Sequence, residues 1–266
     1  MQSFTDQLKR SILLNRVPER IVSLVPSQTE LLCDLGLEDK LVGVTKFCIH
    51  PEGIRTSAKV VGGTKQVNVE AVLALKPDII LCNKEENSKA GIEELDGIAP
   101  IHISDVYTFE DSLELITMYG ALFSVLERAK QIIDDLVYQK QDFERFICDK
   151  PVKRVAYFIW KSPWMVAANQ TFINYVLQLN KLENVYGNLE RYPEVDLASV
   201  NKVSPDYILL SSEPFPFKTV HKTEMELHCP ASKIILVDGE MFSWYGSRLL
   251  KAFAYFKSLR ENQFHY

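Results

Sequence analysis

The sequence predicts an α/β chain of two similar lobes, each built around a parallel sheet, joined by one long helix. Three observations lead to this prediction. Short apolar runs alternate with helical segments in both halves of the 266-residue chain, a helical stretch without proline separates the halves, and one helix–turn–strand segment occurs twice. We place the first lobe at residues 1–108, the connecting helix at 109–150 and the second lobe at 151–266.

The first lobe alternates strands with helices. Its first helix is expected to begin at Ser27 or Thr29 and to end near Gly36, because hydroxyl side chains cap helix starts and glycine suits helix ends. A second helix is predicted at residues 69–75. The predicted strands lie at residues 20–25, 41–44, 78–82 and 99–103.

The region 109–148 has sustained helical periodicity. Two capping-box patterns, Thr108 with Asp111 and Ser124 with Glu127, indicate the starts of two helices. The first is about four turns long, and the second, near residues 125–147, extends about 33 Å at 1.5 Å per residue. A helix of that length between two α/β regions predicts a rigid connection.

The second half returns to the alternating pattern. Strands are predicted at residues 154–160, 206–210 and 234–237. Helices are predicted at 171–179, 197–203 and 247–258, and the last of these is amphipathic.

A weak internal repeat relates the two halves. Residues 69–87, VEAVLALKPDIILCNKEEN, match residues 197–215, LASVNKVSPDYILLSSEPF, in the order helix, Pro-Asp turn, strand and polar tip. Pro77 aligns with Pro205, and Glu85 aligns with Glu213 at the same shift of 128 residues. Loops after the carboxyl ends of parallel strands form the ligand crevice of such sheets. We therefore expect the two glutamates on opposite rims of one cleft.

Charge and cysteine content exclude several classes of function. A net charge of −5 disfavours nucleic acid as the main partner. An odd number of cysteines, five, without a CxxC pair predicts neither a disulfide framework nor a structural zinc site. No apolar run approaches the roughly 20 residues that span a bilayer. The N-terminal stretch MQSFTDQLKRSILLNR lacks the apolar core of a signal peptide.

The order of several motifs resembles a known family. These are TDQLKRSILL followed by PERIVSLVPSQTELLCDLGLEDKLVGVT, then VGGTKQVNVEAVLALKPDIIL, a helical span and VDGEMFSWYG. Together they resemble the helical-backbone (class III) substrate-binding proteins of ABC importers for cobalamin and iron-siderophores, over residues 5–258. The cobalamin-binding branch is the more similar one.

The resemblance implies two Rossmann-like lobes on a backbone helix, with little hinge motion and a ligand cleft between the lobes. It implies delivery to a membrane permease and its ATPase, with one glutamate per lobe docking on permease arginines. Glu85 and Glu213 suit that role, and Glu86 is an alternative to Glu85. It also implies a monomer in the periplasm or cell envelope, although the lack of a signal peptide leaves a cytoplasmic location open.

Aromatic residues at predicted strand ends suit a broad, flat ligand, because stacked rings bury large apolar areas. The alternative for each is a place in the core, and Trp160, the most strand-like of them, is the one we expect there. Ser27 and Gln28 lie at a strand-to-helix turn, where helix N–H groups and side chains can meet a polar edge. The predicted ligand-binding residues are Ser27, Gln28, Phe47, Tyr107, Trp164, Phe217, Trp244 and Tyr245.

Metal ligation and catalysis have weaker support. The five histidines are scattered, so His50 as a direct or axial metal ligand is only an alternative, and we predict no metal site in the protein itself. The chain has no GxSxG, Walker or GxGxxG motif, and we predict no enzyme activity and no intrinsic cofactor.

Three functional hypotheses follow from these observations. The first is delivery of a metal-containing corrinoid, and the second is delivery of another metal chelate, an iron-siderophore or haem. The third is a cytosolic enzyme or sensor that reuses the scaffold. Few basic residues lie at the predicted tips, which favours the corrinoid over anionic siderophores; they are Lys46, Lys84, Lys161 and Lys218.

Overall fold

The computed structural model describes residues 2–264, which form two compact units. Unit 1 contains the residues up to Leu136 together with Tyr245–Arg248, and unit 2 contains Val137–Trp244 and the residues from Leu249 onward. The predicted α/β fold with two lobes, parallel sheets and a long helix is confirmed. The division between the units falls inside the long helix, whereas the sequence placed that helix in a segment of its own.

Unit 1 contains an antiparallel hairpin, β1 with β2, and a parallel sheet in the order β5-β4-β3-β6-β7. The strands are β1 (Gln2–Thr5), β2 (Ser11–Leu14), β3 (Ile21–Ser23), β4 (Leu41–Val44), β5 (Lys59–Val60), β6 (Ile79–Asn83) and β7 (Ile101–Ser104). The helices are α1 (Pro26–Asp34), α2 (Ile54–Ser57), α3 (Val69–Ala74), α4 (Lys89–Glu93) and α5 (Phe109–Leu122), and α6 (Leu126–Ile147) continues into unit 2.

Unit 2 contains a second parallel sheet in the order β10-β8-β11-β12, with β9 antiparallel to β8. The strands are β8 (Lys153–Trp160), β9 (Met165–Val166), β10 (Leu182–Asn184), β11 (Tyr207–Ser211) and β12 (Lys233–Val237). The helices are α7 (Phe172–Leu179), α8 (Leu197–Val203), α9 (Thr219–His228), α10 (Gly239–Ser243) and α11 (Leu249–Gln263).

The central strands of both sheets are buried along their whole length. Every residue of β6 and every residue of β11 is buried, as expected for parallel strands covered on both faces. Val22, Ile80 and Cys82 belong to the core of unit 1. Ala156 and Ile208 belong to the core of unit 2. The continuous apolar runs in the sequence reflect this burial.

The repeat is present in the structure. Helix α3 and strand β6 correspond to α8 and β11, and the shift from Ile79 to Tyr207 equals the shift from Asn83 to Ser211. In unit 1 the Asp78 carboxylate accepts from the backbone N–H of Arg20 at 3.0 Å, and the Arg20 guanidinium donates to the carbonyl of Leu75 at the end of α3.

The same clamp exists in unit 2. The Asp206 carboxylate accepts from the backbone N–H of Arg154 at 2.8 Å, and the Arg154 guanidinium donates to the carbonyls of Val203 and Ser204 at the end of α8. An aspartate before the central strand and an arginine before its neighbour thus connect helix and sheet in both units.

Two helix starts differ from the prediction. Helix α1 begins at Pro26, so Ser27 and Thr29 lie inside it, and the Thr29 hydroxyl donates to the carbonyl of Val25. Proline is favoured at the first helical position because a backbone N–H there would have no partner within the helix, so its absence costs nothing. Ser124 has a left-handed φ of 58° instead of the extended backbone of a helix cap, and α6 begins at Leu126. The predicted capping box of Thr108 with Asp111 is present.

Candidate functional site

The loop after β6 forms a closed turn, which we call tip 1 (Asn83–Asn87). The Asn83 side-chain oxygen accepts from the backbone N–H groups of Glu85 and Glu86, at 2.8 and 3.0 Å. The Asn87 side chain closes the turn by accepting from the backbone N–H of Asn83 at 2.8 Å. Both asparagines are buried, whereas Glu85 and Glu86 are half-buried. Tip 1 therefore presents two adjacent carboxylates on a fixed backbone.

Tip 1 has polar neighbours from other parts of unit 1. The Tyr107 hydroxyl donates to the Glu85 carboxylate at 3.4 Å, and the Lys65 ammonium donates to the Glu85 backbone carbonyl. Lys84 forms an ion pair with Asp105 at 2.7 Å and lies 5.7 Å from the Tyr107 ring centroid. Burial and the adjacent Asp105 charge raise the pKa of Tyr107. Tyr107 is thus a neutral phenol beside tip 1.

The loop after β11, tip 2 (Ser211–Phe215), holds its glutamate differently. The Glu213 carboxylate accepts from the Ser243 hydroxyl at 2.7 Å and from the Trp244 indole N–H at 2.8 Å. Burial raises the pKa of Glu213, and these two hydrogen bonds offset only part of that effect. Glu213 is half-buried, and its carboxylate is turned towards the Ser243 and Trp244 side chains that donate to it.

A glycine accounts for this difference. Asn83 pairs with Ser104 and Ser211 pairs with Val237, so the register places Val106 and Gly239 two residues beyond matching strand positions. A Cβ on Gly239 would lie 2.6 Å from Cγ of Glu213, far inside van der Waals contact. Unit 2 can therefore fold its glutamate back against α10. Unit 1 has the buried side chain of Val106 at that position.

An aromatic cluster lies at the carboxyl end of the unit 2 sheet. Trp164 stacks on Phe217 with ring centroids 5.9 Å apart and an interplanar angle of 9°. Phe215 contacts Phe217 at 4.7 Å and Trp160 at 5.7 Å. Trp160, which was expected in the core, is instead 38% exposed, because it is the last residue of β8 and lies beyond the buried part of that strand. Phe217 belongs to the core of unit 2, and the half-buried Trp164 and Phe215 pack against that core. This aromatic cluster (Trp160, Trp164, Phe215 and Phe217) is therefore a partly exposed apolar surface beside tip 2.

Charge beside the aromatic cluster is already paired. Lys161 lies 5.3 Å from the Trp164 ring centroid and forms an ion pair with Glu224. The ammonium can contribute a cation–π contact to the indole while the carboxylate neutralises it. The cluster is consequently an aromatic surface with little net positive charge from Lys161.

Two predicted ligand residues, Gln28 and Tyr245, form a buried hydrogen-bond network in unit 1 with Ser104 and Tyr119, which were not predicted. The Gln28 amide donates to the hydroxyls of Ser104 and Tyr245, and its oxygen accepts from the Tyr119 hydroxyl at 2.6 Å. Gln28 is fully buried and Tyr245 is 4% exposed. Burial raises the pKa of Tyr119 and Tyr245, so both phenols are neutral; the Tyr119 hydroxyl donates to Gln28, and the Tyr245 hydroxyl accepts from it.

The remaining predicted residues have mixed environments. Phe47 is 50% exposed, with Lys46 at 5.0 Å from its ring centroid. Ser27, Phe217 and Trp244 are buried. Trp164 and Phe217 are thus brought together, as are Gln28 and Tyr245. Ligand contact at each of these residues stays a prediction.

Metal-binding side chains do not converge in the part of the chain that the structure describes. Among residues 2–264, no group of three or more His, Cys, Asp or Glu side chains is arranged to hold a metal ion. Burial raises the pKa of the Cys82 thiol to about 12, so that this cysteine is protonated at neutral pH. Across the same residues, no helix has the length and apolarity that a bilayer crossing requires.

Comparison with known sequences gives the family. Residues 21–227 match the profile described as "Periplasmic binding protein", which is more than half of the chain. The chain belongs to this family. The predicted family is thereby confirmed.

Curated relatives of this periplasmic binding protein cover most of its length. An ABC transporter substrate-binding lipoprotein, YvrC of Bacillus subtilis, is 28% identical over 259 residues, which is 92% of this chain and 81% of the relative. A vitamin B12-binding protein of Pectobacterium atrosepticum is 26% identical over 246 residues, covering 89% and 86% of the two chains.

Solved structures share the fold of this periplasmic binding protein. A periplasmic haem-binding protein of Pseudomonas aeruginosa superposes with a TM-score of 0.80 at 21% identity, over 91% of this chain and 92% of its own. The vitamin B12-binding protein BtuF of Vibrio cholerae gives a TM-score of 0.77 at 22% identity, over 93% and 99%. At these identities the likeness concerns the fold alone.

Proposed function

We propose that this periplasmic binding protein captures a corrinoid outside the cytoplasm and delivers it to the permease and ATPase of an ABC importer. One observation carries the choice of ligand, namely the partly exposed aromatic cluster at the carboxyl end of the unit 2 sheet. A corrin ring is broad, flat and largely apolar, and aromatic rings bury such a surface while stacking on it. The family, a transport family, supports a binding function without catalysis.

The charges near both tips support a ligand without strong negative charge. Lys161 is paired with Glu224, and Lys84 is paired with Asp105. An anionic ligand would have to compete with a carboxylate for each of these ammonium groups. A corrinoid core, which binds mainly through apolar area, has no such competition. The vitamin B12-binding relatives agree with this preference.

The second candidate ligand is haem or another iron chelate. It is favoured by the fold similarity to the Pseudomonas aeruginosa haem-binding protein, and an aromatic surface also suits a porphyrin. The paired lysines make the anionic propionates of haem the poorer match. For this reason we place the iron chelates second.

The first test of the corrinoid proposal is Trp164→Ala. Loss of the stacked indole should weaken cyanocobalamin binding about tenfold, equivalent to about 1.4 kcal/mol, because the ligand loses both apolar area and a stacking partner. Tyr138→Ala is the matched control, since Tyr138 is an aromatic residue of unit 2 that is 67% exposed on α6. Calorimetric dissociation constants and thermal unfolding would be measured for both variants.

The proposal fails if the wild-type protein does not bind cyanocobalamin. The assigned surface is wrong if Trp164→Ala, folded to the wild-type melting temperature, binds as tightly as the wild type. An equal loss of affinity in Tyr138→Ala would show that the effect is not specific to the aromatic cluster.

For delivery, we propose that tips 1 and 2 contact the permease through their glutamates. Glu85 and Glu86 present carboxylates from a fixed turn, and Glu213 presents a partly shielded one. Complementary charges at such contacts set orientation and association rate more than affinity. Arginines on the permease would be the matching groups.

A further inference from the structure

We propose that Glu224 sets the charge specificity of the aromatic cluster. By neutralising Lys161, it makes the site select corrinoids with amide side chains over corrinoids with free carboxylates. This inference rests on the proposed corrinoid function and adds a residue that decides which corrinoids the same site accepts. Both residues and all four rings of the cluster belong to unit 2.

Lys161 connects the aromatic cluster with α9. It follows Trp160, the last residue of β8, and its ammonium lies 5.3 Å from the ring centroid of Trp164. The same ammonium forms an ion pair with the Glu224 carboxylate. The side chains of Lys161 and Glu224 are 24% and 36% exposed, so the pair is accessible from solvent. A ligand that contacts the Trp164 indole would therefore lie beside both charges.

The helical repeat of α9 explains why Glu224 reaches this position. His221 precedes Glu224 by three residues and Met225 by four, so the three side chains share one face of the helix. Met225 is fully buried and belongs with Phe217 to the core of unit 2. The His221 ring lies edge-on to Phe215 at 5.1 Å and to Phe217 at 5.6 Å between centroids. The face that carries Glu224 is therefore turned towards the aromatic cluster.

His221 adds no positive charge to this surface. Its Nδ1 accepts from the backbone N–H of Lys218 at 2.9 Å. Only the uncharged imidazole can accept there, because both ring nitrogens of the charged form carry a hydrogen. The Lys218 side chain belongs to an exposed residue, where water and salt screen its charge. Beside the cluster, the charges of Lys161 and Glu224 therefore cancel.

This balance decides which ligand charge is favoured. A ligand carboxylate can bind the Lys161 ammonium only by displacing the Glu224 carboxylate, so one charge-assisted hydrogen bond replaces another. A ligand carboxylate that finds no cation loses water as the corrin ring covers the cluster, and this desolvation is costly. An amide side chain carries no charge and leaves the ion pair intact. Corrinoids whose peripheral carboxylates have been converted to amides are therefore the favoured class.

The test compares dicyanocobinamide, which carries amides, with dicyanocobyrinic acid, which has the same ring system but carries carboxylates. In calorimetric titrations of the full chain, the wild type should bind the cobinamide at least about tenfold more tightly. Glu224→Gln leaves the Lys161 ammonium without its carboxylate. It should raise the affinity for the cobyrinic acid about tenfold and change that for the cobinamide less than about twofold.

A second variant shows whether the gain acts through Lys161. In the double variant with Lys161→Gln and Glu224→Gln, the affinity for the cobyrinic acid should return to the wild-type value, because the ammonium is gone. The gain in Glu224→Gln should also disappear in 1 M salt, where the screening length falls to about 3 Å. A merely structural effect of Glu224 would depend on neither ligand charge nor salt.

Glu226→Gln is the matched control on the same helix. Glu226 pairs with Lys222 at 3.9 Å, and Lys222 lines a groove beside β12 instead of the aromatic cluster, so both affinities should stay at the wild-type values. An unchanged affinity of Glu224→Gln for the cobyrinic acid, a gain that persists in the double variant, or an equal gain in Glu226→Gln would overturn the inference. The corrinoid function would still stand if the wild type binds the cobinamide. Binding of neither corrinoid would overturn that function and this inference with it.

Discussion

Units 1 and 2 repeat one topology but stabilise it with groups of different burial. In unit 1, Glu30 and Arg248 form an ion pair at 2.7 Å whose side chains are only 5% and 4% exposed. In unit 2, the ion pair of Asp142 with Lys257 is 44% and 32% exposed. The two units therefore share strand order and the helix-to-sheet clamp, whereas the polar interactions around these features differ in burial.

The two tips also differ in which groups hold them in place. The Asn83 side chain bonds to the backbone of tip 1 and leaves the glutamate carboxylates to other partners. In tip 2 the Glu213 carboxylate itself is bonded to Ser243 and Trp244. Two glutamates that align in sequence are therefore unequal in the structure, and the space beside Gly239 is the physical cause.

The largest expected effect comes from the buried ion pair. Glu30→Ala should lower the free energy of unfolding by about 3–5 kcal/mol, because it leaves the Arg248 charge buried without its carboxylate. Asp142→Ala is the unit 2 counterpart, and its free energy of unfolding should equal that of the wild type to within about 1 kcal/mol because exposed pairs contribute little. Urea denaturation would measure both. Similar losses in the two variants would contradict the difference in burial between the units.

A smaller difference is expected at the repeated clamp. The Asp78 carboxylate accepts from the backbone N–H groups of Glu19 and Arg20 and from Arg16, whereas Asp206 accepts from the backbone N–H of Arg154. Asp78→Ala should cost about 1–2 kcal/mol and Asp206→Ala about 0.5–1 kcal/mol of unfolding free energy. Equilibrium denaturation checks the order, and a larger loss for Asp206→Ala would reverse it.

The clamp in unit 1 should also depend on pH. Burial raises the pKa of Asp78, but the hydrogen bonds from Arg16 and from the backbone outweigh burial, so the net pKa lies below its ordinary value of 3.8. The stability that the carboxylate contributes is therefore present above that value and is lost as the pH falls through the lowered pKa. The difference in unfolding free energy between the wild type and Asp78→Ala should therefore become smaller as the pH falls.

The smallest expected effect concerns the two tips. Glu85→Ala should slow association with the purified permease by about threefold to tenfold, and Glu213→Ala should slow it less, because Glu213 is already hydrogen-bonded within its unit. Glu94→Ala, an exposed glutamate of unit 1, is the control. Surface plasmon resonance measures the rates. A greater effect from Glu213→Ala, or loss of ligand affinity in Glu85→Ala, would contradict this assignment.

The sequence was sufficient for the main elements of both sheets. The runs at β4, β6 and β11 are apolar apart from the final Asn83 and Ser211, and they are bounded by charged or turn residues, so their burial is visible from local pattern. The repeat was visible because Pro77 and Pro205 precede strands of equal length. Confirmed strand bounds lie within one or two residues of those predicted.

Other elements depend on distant partners and were not predicted. The hairpin of β1 and β2 is attached through Asp6, whose acceptance from Ile103 joins residues 97 positions apart. Helix α9 buries only Met225, so its polar sequence has little helical periodicity in apolar residues. Neither the attachment of the hairpin nor helix α9 is therefore visible in the local sequence pattern.

The candidate site was predicted only in outline. Aromatic residues at strand ends suggested the stacking of Trp164 on Phe217, but their degree of burial depends on tip 2 and α9. Gln28 is buried and bonded to Tyr245, 217 residues later in the chain, so its environment depends on a distant partner.

The most direct measurement is a side-by-side calorimetric titration of the wild-type protein with cyanocobalamin, cobinamide, hemin and a ferric siderophore. We expect saturable binding of a single corrinoid per chain, with a dissociation constant about tenfold or more below that of hemin or the siderophore, equivalent to at least about 1.4 kcal/mol. Saturable binding of hemin or the siderophore, with neither corrinoid bound at the same concentrations, would contradict it.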